Sequence, residues 1–225
     1  MSGAPAPDVH WHPLRSGVWA PVWWFGRILL GTLAPRLVGF RVAGRRRIPA
    51  SGGVLVIANH LADIDPPALG MACMPRRALF MAAARHFTGR PLATLLFSLG
   101  AFPVRNDRPD LRAVRHAREQ LLAGRLVVIF PEGAPTWGPH VGEFRDGAGH
   151  LALTPGVTVI PAAVWGTHTI MRGWRVTGRG PVLVAFGRPV EVPGGGSPRE
   201  RAHEVTVRAR RAVQELLAPM ARALP

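Results

Sequence analysis

Short apolar runs separated by glycine and proline dominate the chain from residue 41 onward. Each of the clearest runs holds four to seven consecutive apolar residues, a pattern typical of strands that are buried on both faces. They occur in the segments GGVLVIANH, RLVVIFPEG, GVTVIPAAV and GPVLVAFGRP. The pattern therefore predicts four buried strands with other elements covering the sheet.

Helical periodicity fills the spaces between and after these runs. The segment DLRAVRHAREQLLAG places five apolar residues on one predicted face: Leu111, Val114, Ala117, Leu121 and Leu122. A second helix is predicted to begin at the capping box Ser197-Pro-Arg-Glu200. With 225 residues, the chain is predicted to be α/β, a single domain with a largely buried mixed sheet flanked by helices.

Residues 1–40 differ from the rest in composition. Trp19, Trp23 and Trp24 lie close together, and arginines and prolines interrupt the apolar residues. The stretch falls short of the roughly 20 uninterrupted apolar residues of a spanning helix. Tryptophan with intermittent arginine favours a membrane-interface segment, the alternative being an aromatic core helix. We therefore divide the chain into this N-terminal membrane-interface segment and a globular domain at residues 41–225.

Charge narrows the choice of partners only partly. The formal net charge is +15, and all 28 basic residues other than histidine are arginine. Such a surface attracts anionic lipid headgroups, phosphorylated substrates or nucleic acid. The cluster Arg45-Arg46-Arg47 could serve any of them.

The first buried run ends in the segment IANHLADIDPP, which combines a histidine with two acids. Proline favours extended geometry in the residue before it, so Asp65 is predicted to be the N-cap of a helix that begins at Pro66. The intervening turn can then return the carboxylate to His60, whose second ring nitrogen becomes a base. Asp63 is left as a turn residue. Alternatively, Asp65 is only a cap and His60 only a polar residue at a strand end.

Two more polar turns follow other apolar stretches. Glu132 and Gly133 follow the run VVIF, and Arg105 ends the stretch GAFPVR. Active sites of α/β folds collect at the carboxyl ends of strands, so these residues are expected to converge with His60. An arginine there can bind phosphate through two hydrogen bonds, although a solvated surface arginine is the simpler interpretation of Arg105 alone.

Taken in order, these motifs resemble those of the glycerolipid acyltransferase family typified by lysophosphatidic acid acyltransferases. The resemblance covers about residues 40–190. The segment EFRDGAGHLAL also resembles the family's F-K-x-G segment, with Arg145 where lysine is usual. Four blocks carry it: Asn59-His60 with Asp65 for N-H-x4-D, Gly100 to Arg105 for G-x-x-x-x-R, Phe130 to Gly133 for F-P-E-G, and Val159-Ile-Pro161 for the later proline-containing strand.

The resemblance implies acyl transfer from acyl-CoA or acyl-carrier protein to a hydroxyl of a lysophospholipid such as 1-acylglycerol-3-phosphate. No cofactor beyond the acyl donor and no metal is implied. His60 would be the general base and Asp65 its orienting partner. The implied substrate-binding residues are Asn59, Arg105, Glu132, Gly133 and Arg145.

One departure from the family pattern concerns the acceptor. The family block usually continues F-P-E-G-T-R, whereas this chain has Ala134-Pro135 after Gly133. The missing arginine removes a phosphate contact worth about 1.5 to 3 kcal/mol. Arg145 could compensate, or the acceptor could be a lysolipid other than lysophosphatidate.

The expected partners follow from the same observations. We expect a lysophospholipid acceptor, an acyl-CoA or acyl-carrier-protein donor, and an anionic membrane surface at its cytoplasmic face, because no signal-peptide pattern begins the chain. No specific nucleic acid is expected, since no nucleic-acid-binding motif is recognisable. A basic nucleic-acid- or lipid-binding protein without catalysis remains the alternative.

Overall fold

Nine strands are present in the part of the chain that the structure describes. The computed structural model describes residues 39–87, 90–105, 110–172, 175–176 and 180–223. The membrane-interface prediction for residues 1–40 therefore lies almost wholly outside the described residues. The strands are β1 (Arg41–Ala43), β2 (Val54–Ala58), β3 (Ala78–Ala83), β4 (Ala101–Val104), β5 (Leu126–Ile129), β6 (Thr158–Trp165), β7 (Met171–Arg172), β8 (Arg175–Val176) and β9 (Leu183–Phe186).

Seven of these strands form one mixed sheet in the order β1-β9-β6-β2-β5-β3-β4, and β7 and β8 form a separate antiparallel pair. The strands from β6 to β4 run parallel to one another. Strand β9 runs antiparallel to β6 and parallel to β1. The predicted mixed sheet is confirmed, and the four apolar runs are β2, β5, β6 and β9. Parallel strands have their carboxyl ends at the same side of the sheet. The residues that follow β6, β2, β5, β3 and β4 therefore lie along that side.

The helices within the described residues cover both faces of the sheet. They are α1 (Asp65–Ala72), α2 (Arg90–Ser98), α3 (Leu111–Leu122), α4 (Gly147–Ala152), α5 (Thr167–Ile170) and α6 (Pro198–Ala223). Along β2, Val54, Val56 and Ala58 face an apolar layer shared with α1 and α2. Leu55 and Ile57 face the opposite layer, shared with α3, α4 and α6. The prediction of strands buried on both faces is therefore confirmed.

Helix α3 corrects the predicted apolar face. The buried residues are Ala113, Ala117 and Leu121, whereas Leu111 is 75% exposed and Leu122 is 57% exposed. The small alanine at 113 lets the helix lie close to the sheet, so the buried face centres on the alanines instead of the leucines at the two ends. Large apolar side chains at helix ends were a poor guide to the contact face.

Helix α6 begins as predicted. The Glu200 carboxylate accepts a hydrogen bond from the Ser197 backbone N–H (2.8 Å), and the Ser197 hydroxyl accepts one from the Glu200 N–H (3.3 Å). This reciprocal pair is the predicted capping box. No helix in the described part of the chain is long and apolar enough to cross a bilayer.

Part of the arginine cluster is engaged in the fold. Arg45 donates to the Ala72 carbonyl, and Arg47 donates to the Phe186 carbonyl (2.9 and 2.5 Å). The cluster follows β1, which runs antiparallel to β2, so it lies at the edge of the sheet opposite His60. These two guanidinium groups satisfy backbone carbonyls instead of facing only solvent.

Candidate active site

The polar turns predicted from the sequence lie along one edge of the sheet. His60 follows β2, the F-P-E-G turn follows the adjacent strand β5, and Arg105 follows the edge strand β4. This shared edge results directly from the parallel run of strands. The site is therefore built from loops on a rigid sheet.

His60 and Asp65 form a hydrogen-bonded pair. The His60 Nδ1 lies 2.8 Å from Asp65 Oδ2, with 13% of the histidine side chain exposed and the aspartate fully buried. An ionised carboxylate only accepts hydrogen bonds, so it fixes the proton on Nδ1 and leaves the lone pair on Nε2. An imidazole held in this way can accept a proton at Nε2, the property that a general base requires.

The Asp65 carboxylate is held by the turn that precedes it. Oδ2 also accepts hydrogen bonds from the N–H groups of Leu61 (2.6 Å) and Ala62 (2.8 Å). Four residues of turn thereby return the carboxylate to the histidine, which confirms the predicted pairing of the two side chains. Among the described residues, Oδ1 has no hydrogen-bond partner although it is buried.

The prediction that Asp65 caps the helix is wrong. Ile64 occupies the cap position, and Asp65 is the first residue of α1. With Asp65 as cap, the next two residues would be Pro66 and Pro67, which have no N–H to donate. The following N–H, that of Ala68, donates to the Ile64 carbonyl (3.1 Å). The carboxylate therefore turns back to the donors of the preceding turn, and its charge still suits a helix N-terminus.

Two residues after β5 hold His60 in position. The Phe130 ring stacks on the imidazole, with centroids 4.3 Å apart and planes inclined by 25°. Thr136 donates its backbone N–H (2.9 Å) and its hydroxyl (3.2 Å) to the His60 carbonyl. Sequence reasoning assigned neither residue a part in the site. Phe130 could have been noticed within the F-P-E-G block, whereas no signal distinguished Thr136.

Glu132 binds the backbone of the catalytic turn. Its Oε1 accepts a hydrogen bond from the His60 N–H (3.3 Å). Burial raises the pKa of the Glu132 carboxyl to about 7, although the backbone groups of His60 and Gly142 act in the opposite direction. The carboxyl therefore titrates near neutral pH, directly beside the hydrogen-bonded pair of His60 and Asp65.

Gly133 and Arg145 lie against each other in the same loop. Gly133 has a φ of +79°, and a Cβ built on it would lie 3.1 Å from the Arg145 guanidinium carbon. The glycine therefore leaves room for the guanidinium as well as supplying the left-handed turn. The Arg145 N–H donates to the Pro131 carbonyl (3.1 Å), which fixes the base of the side chain. An exposed arginine beside the F-P-E-G turn is a suitable anion ligand.

Asn59 occupies a different kind of position from the one predicted. Its side chain is fully buried, its Nδ2 donates to the Val164 carbonyl (3.0 Å), and its Oδ1 accepts from the Val164 N–H (2.8 Å). Both ends of the amide are thus used by the backbone of β6. This geometry fixes the end of β2 directly before His60 and leaves the amide no surface toward a substrate.

Arg105 lies at the far end of the same edge. Its strand, β4, is three strands away from β2, which corresponds to about 14 Å at the usual strand spacing. The Arg105 N–H donates to Asp110 Oδ2 (3.0 Å), and the other oxygen of Asp110 caps α3. The backbone of Arg105 is thus fixed at the end of β4, and the predicted substrate contact would require its side chain to span the remaining distance to His60.

The one cysteine of the chain, Cys73, does not belong to the site. Cys73 is 1% exposed, and burial raises the pKa of its thiol to about 12. It is an inert core residue, because the nucleophilic thiolate does not form at that pKa.

Comparison with known proteins identifies the family. A sequence profile of the acyltransferase family matches residues 39–165. That region contains β1 to β6 and every residue of the pair and loops described above. The chain belongs to the acyltransferase family, and it is an enzyme of that class.

Several relatives are named as lipid acyltransferases. A 1-acyl-sn-glycerol-3-phosphate acyltransferase of Bacillus subtilis is 25% identical over 68% of this chain and 74% of its own length. A Streptococcus pneumoniae protein of the same name is 27% identical over 61% of this chain, and a lyso-ornithine lipid O-acyltransferase of Pseudomonas aeruginosa is 34% identical over 63%. The chain spans only about half the length of these last two relatives (50% and 52%).

A solved structure shows the same fold. The crystal structure of a 1-acyl-sn-glycerophosphate acyltransferase from Thermotoga maritima superposes with a TM-score of 0.65 and 27% identity. The match covers 88% of this chain and 79% of that one. The predicted α/β architecture and the predicted family are both confirmed.

Proposed function

We propose that the protein transfers a fatty acyl group from a thioester, carried by coenzyme A or acyl-carrier protein, to a hydroxyl of a lysophospholipid. The observation that carries the proposal is the 2.8 Å hydrogen bond between His60 and Asp65 at the carboxyl edge of the sheet. Membership of the acyltransferase family supports it, and so do relatives named as 1-acyl-sn-glycerol-3-phosphate acyltransferases.

The reaction is a direct transfer in one active site. His60 Nε2 accepts the proton of the acceptor hydroxyl as its oxygen attacks the thioester carbonyl carbon. Asp65 stabilises the imidazolium that forms. When the tetrahedral intermediate collapses, the C–S bond breaks, the imidazolium returns the proton to the departing sulfur, and an ester and a free thiol remain. The buried Cys73 thiol takes no part.

The phosphate of the acceptor is proposed to bind on the β5 and β4 side of His60. Arg145 beside Gly133 supplies one guanidinium and Arg105 supplies a second. Glu132 holds the His60 backbone and lines the space between them. Asn59 is proposed as a positioning residue, because its amide is committed to the Val164 backbone.

A second acceptor class is favoured by a specific observation. Ala134-Pro135 stand where the family pattern has Thr-Arg, so one cation expected for a phosphate is missing. The relative with 34% identity is named for a lyso-ornithine lipid. A lysolipid other than lysophosphatidate is therefore the alternative acceptor.

One assay separates the proposals. The purified full chain would be given an acyl-CoA or an acyl-carrier-protein thioester with lysophosphatidate, other lysophospholipids or lyso-ornithine lipid, and thiol release would be followed. Thiol release with lysophosphatidate supports the primary proposal, and release only with the phosphate-free acceptor supports the alternative. His60→Ala must abolish release while the thermal unfolding midpoint stays near that of the wild type. Turnover retained by this variant would remove His60 from the mechanism, and a wild type without any transfer would refute the proposed function.

The site is proposed to work at the cytoplasmic face of a membrane, where the acceptor is held in the bilayer and the thioester arrives from water. The net charge of +15 supports an anionic surface. The Arg45–Arg47 cluster is at the opposite edge of the sheet from His60, so contact near the site is assigned to residues 1–40.

A further inference from the structure

The C-terminal helix α6 contacts the loop that carries Glu132 and Arg145. Arg210 Nε donates to the Gly142 carbonyl (2.9 Å) in a partly buried contact. His203 Nδ1 lies 3.2 Å from both carboxylate oxygens of Asp146, at the exposed surface. Helix α6 lies beyond the region that matches the family profile. These contacts are therefore features that the family motifs do not describe.

Gly142 in turn contacts the Glu132 carboxylate. A Cβ built on Gly142 would lie 3.3 Å from Glu132 Oε2, so the backbone of Gly142 passes directly beside that oxygen. The Gly142 backbone acts to lower the pKa of Glu132, although Glu132 Oε2 itself has no partner with hydrogen-bond geometry among the described residues. The other oxygen of Glu132 accepts from the His60 N–H. A continuous set of contacts thus runs from Arg210 through Gly142 and Glu132 to the catalytic turn.

Neighbouring arginines on α6 are used differently. Arg208 pairs with Glu204, and Arg211 pairs with Glu215 (3.0 Å), each one turn along the same helix. The Arg211 side chain is 81% exposed, and exposed pairs of this type contribute little. Arg210 instead bonds a carbonyl across 68 residues of sequence. The Arg210 contact restrains a loop. The Arg211 pair stays within the helix, and Arg208 also donates to the Glu191 carbonyl (3.4 Å) in an exposed contact.

We propose that Arg210 is a positioning residue for acyl transfer, holding the Gly142 backbone against Glu132 so that Glu132 in turn fixes the backbone of His60. The inference rests on the proposed function.

Charged groups from several elements lie near Glu132 and determine in which direction its pKa shifts. His60 after β2 and Asp65 on α1 act on it in opposite directions, lowering and raising its pKa. Arg145 is in the same loop, and Arg210 approaches from α6. Release of the Gly142 backbone moves away a group that lowers the Glu132 pKa, so this pKa is expected to rise.

The experiment compares Arg210→Gln with Arg211→Gln, which removes the same charge one residue away. The pH dependence of kcat/KM for acyl transfer would be measured for both variants and the wild type, and Glu132→Gln would identify the limb that belongs to Glu132. For Arg210→Gln we expect the part of the pH profile that is due to Glu132 to move to higher pH by about half a pH unit or more. We also expect kcat to fall several-fold. Arg211→Gln should match the wild type in both.

The inference is overturned if the Glu132 limb of the pH profile lies at the same pH in Arg210→Gln as in Arg211→Gln. It is also overturned if Glu132→Gln leaves the wild-type pH profile unchanged. If Arg210→Gln does not fold, Gly142→Ala replaces it, because its Cβ would press on Glu132 from the same side. The same upward shift is then expected, and its absence overturns the inference. A wild type without acyl transfer would refute the proposed function instead, and the titration of Glu132 would then be followed by thermal unfolding against pH.

Discussion

At the scale of single residues, Asp65 has two structural tasks. It accepts hydrogen bonds from the N–H groups of Leu61 and Ala62, and it orients His60 through Nδ1. One oxygen, Oδ2, makes all of these bonds, so the amide oxygen of an asparagine could keep them, but the neutral amide lacks the charge that would stabilise an imidazolium. The two tasks can therefore be separated by substitution.

Asp65→Asn is expected to lower kcat by about three orders of magnitude, because the carboxylate no longer fixes the tautomer or the charged form of His60. Acyl transfer would be measured at saturating donor, with circular dichroism to check the fold. Asp63→Asn is the matched control in the same turn, and we expect it to stay within about twofold of the wild type. A folded Asp65→Asn enzyme with more than about a tenth of wild-type activity would contradict the assignment of Asp65.

Glu132 gives a prediction about stability and pH. Its pKa is raised by burial from 4.5 to about 7, so the folded state binds the proton more tightly than the unfolded state. Its stabilising contribution is therefore complete below the unfolded pKa and is lost as the pH rises through about 7. We expect the thermal midpoint of the wild type to fall relative to that of Glu132→Gln between about pH 5 and pH 9. A difference between the two proteins that does not change with pH would refute the raised pKa.

The sequence predicted the pairing of His60 with Asp65 better than the other contacts of the site residues. The pairing of His60 with Asp65 followed from the turn length and the prolines. The helix-cap assignment failed because the competing donors, the N–H groups of the preceding turn, are not visible in a residue pattern. The contacts of Asn59 were not predicted for a related reason: its partner, Val164, is distant in the sequence.

At the scale of elements, helices α4 and α6 meet at a glycine. A Cβ built on Gly149 would lie 1.9 Å from the Ala202 carbonyl oxygen, whereas one built on Gly147 meets nothing within 4 Å. Glycine at 149 therefore permits a backbone approach that no other residue allows. The contact matters for the site because α4 directly follows the loop that bears Arg145.

Gly149→Ala is expected to reduce the free energy of unfolding by about 2 kcal/mol or more, because α6 must move away from α4. Gly147→Ala, at the start of the same helix, should change it by less than about 1 kcal/mol and could raise it. Urea denaturation would measure both. Equal effects of the two substitutions would show that the close approach of the helices does not contribute to the free energy of unfolding.

Which elements could be predicted depended on burial. The runs of β2, β5, β6 and β9 were evident because both faces of those strands are apolar. Strand β1 has an exposed, mixed pattern at the edge of the sheet, and it did not stand out. The face of α3 was misjudged because the alanines that touch the sheet carry a weaker apolar signal than the exposed leucines at its ends.

At the scale of the whole molecule, the positive charge is not distributed as a simple docking surface. Arg45, Arg47 and Arg76 donate to backbone carbonyls, and Arg76 alone reaches those of Pro49, Gly52 and Gly124. Composition predicted an affinity for anions but not which arginines would be engaged in the fold. Those groups lie at the edge opposite the catalytic pair, so a membrane that supplies the acceptor to His60 is expected to meet other parts of the chain.

The N-terminal segment that the sequence predicts to lie in the membrane interface is one candidate for that contact, and the prediction is best tested in the full chain. Replacing Trp19, Trp23 and Trp24 with alanine should weaken partition onto vesicles containing anionic lipid by about tenfold, because the aromatic rings supply most of the interfacial burial. Wild-type binding should also fall as salt rises, since the arginine charges are screened. Cosedimentation with anionic and with neutral vesicles would separate the two contributions. If the triple variant partitions as the wild type does while salt still weakens binding, charge on the globular domain suffices for docking, and residues 1–40 do not form the membrane-interface segment.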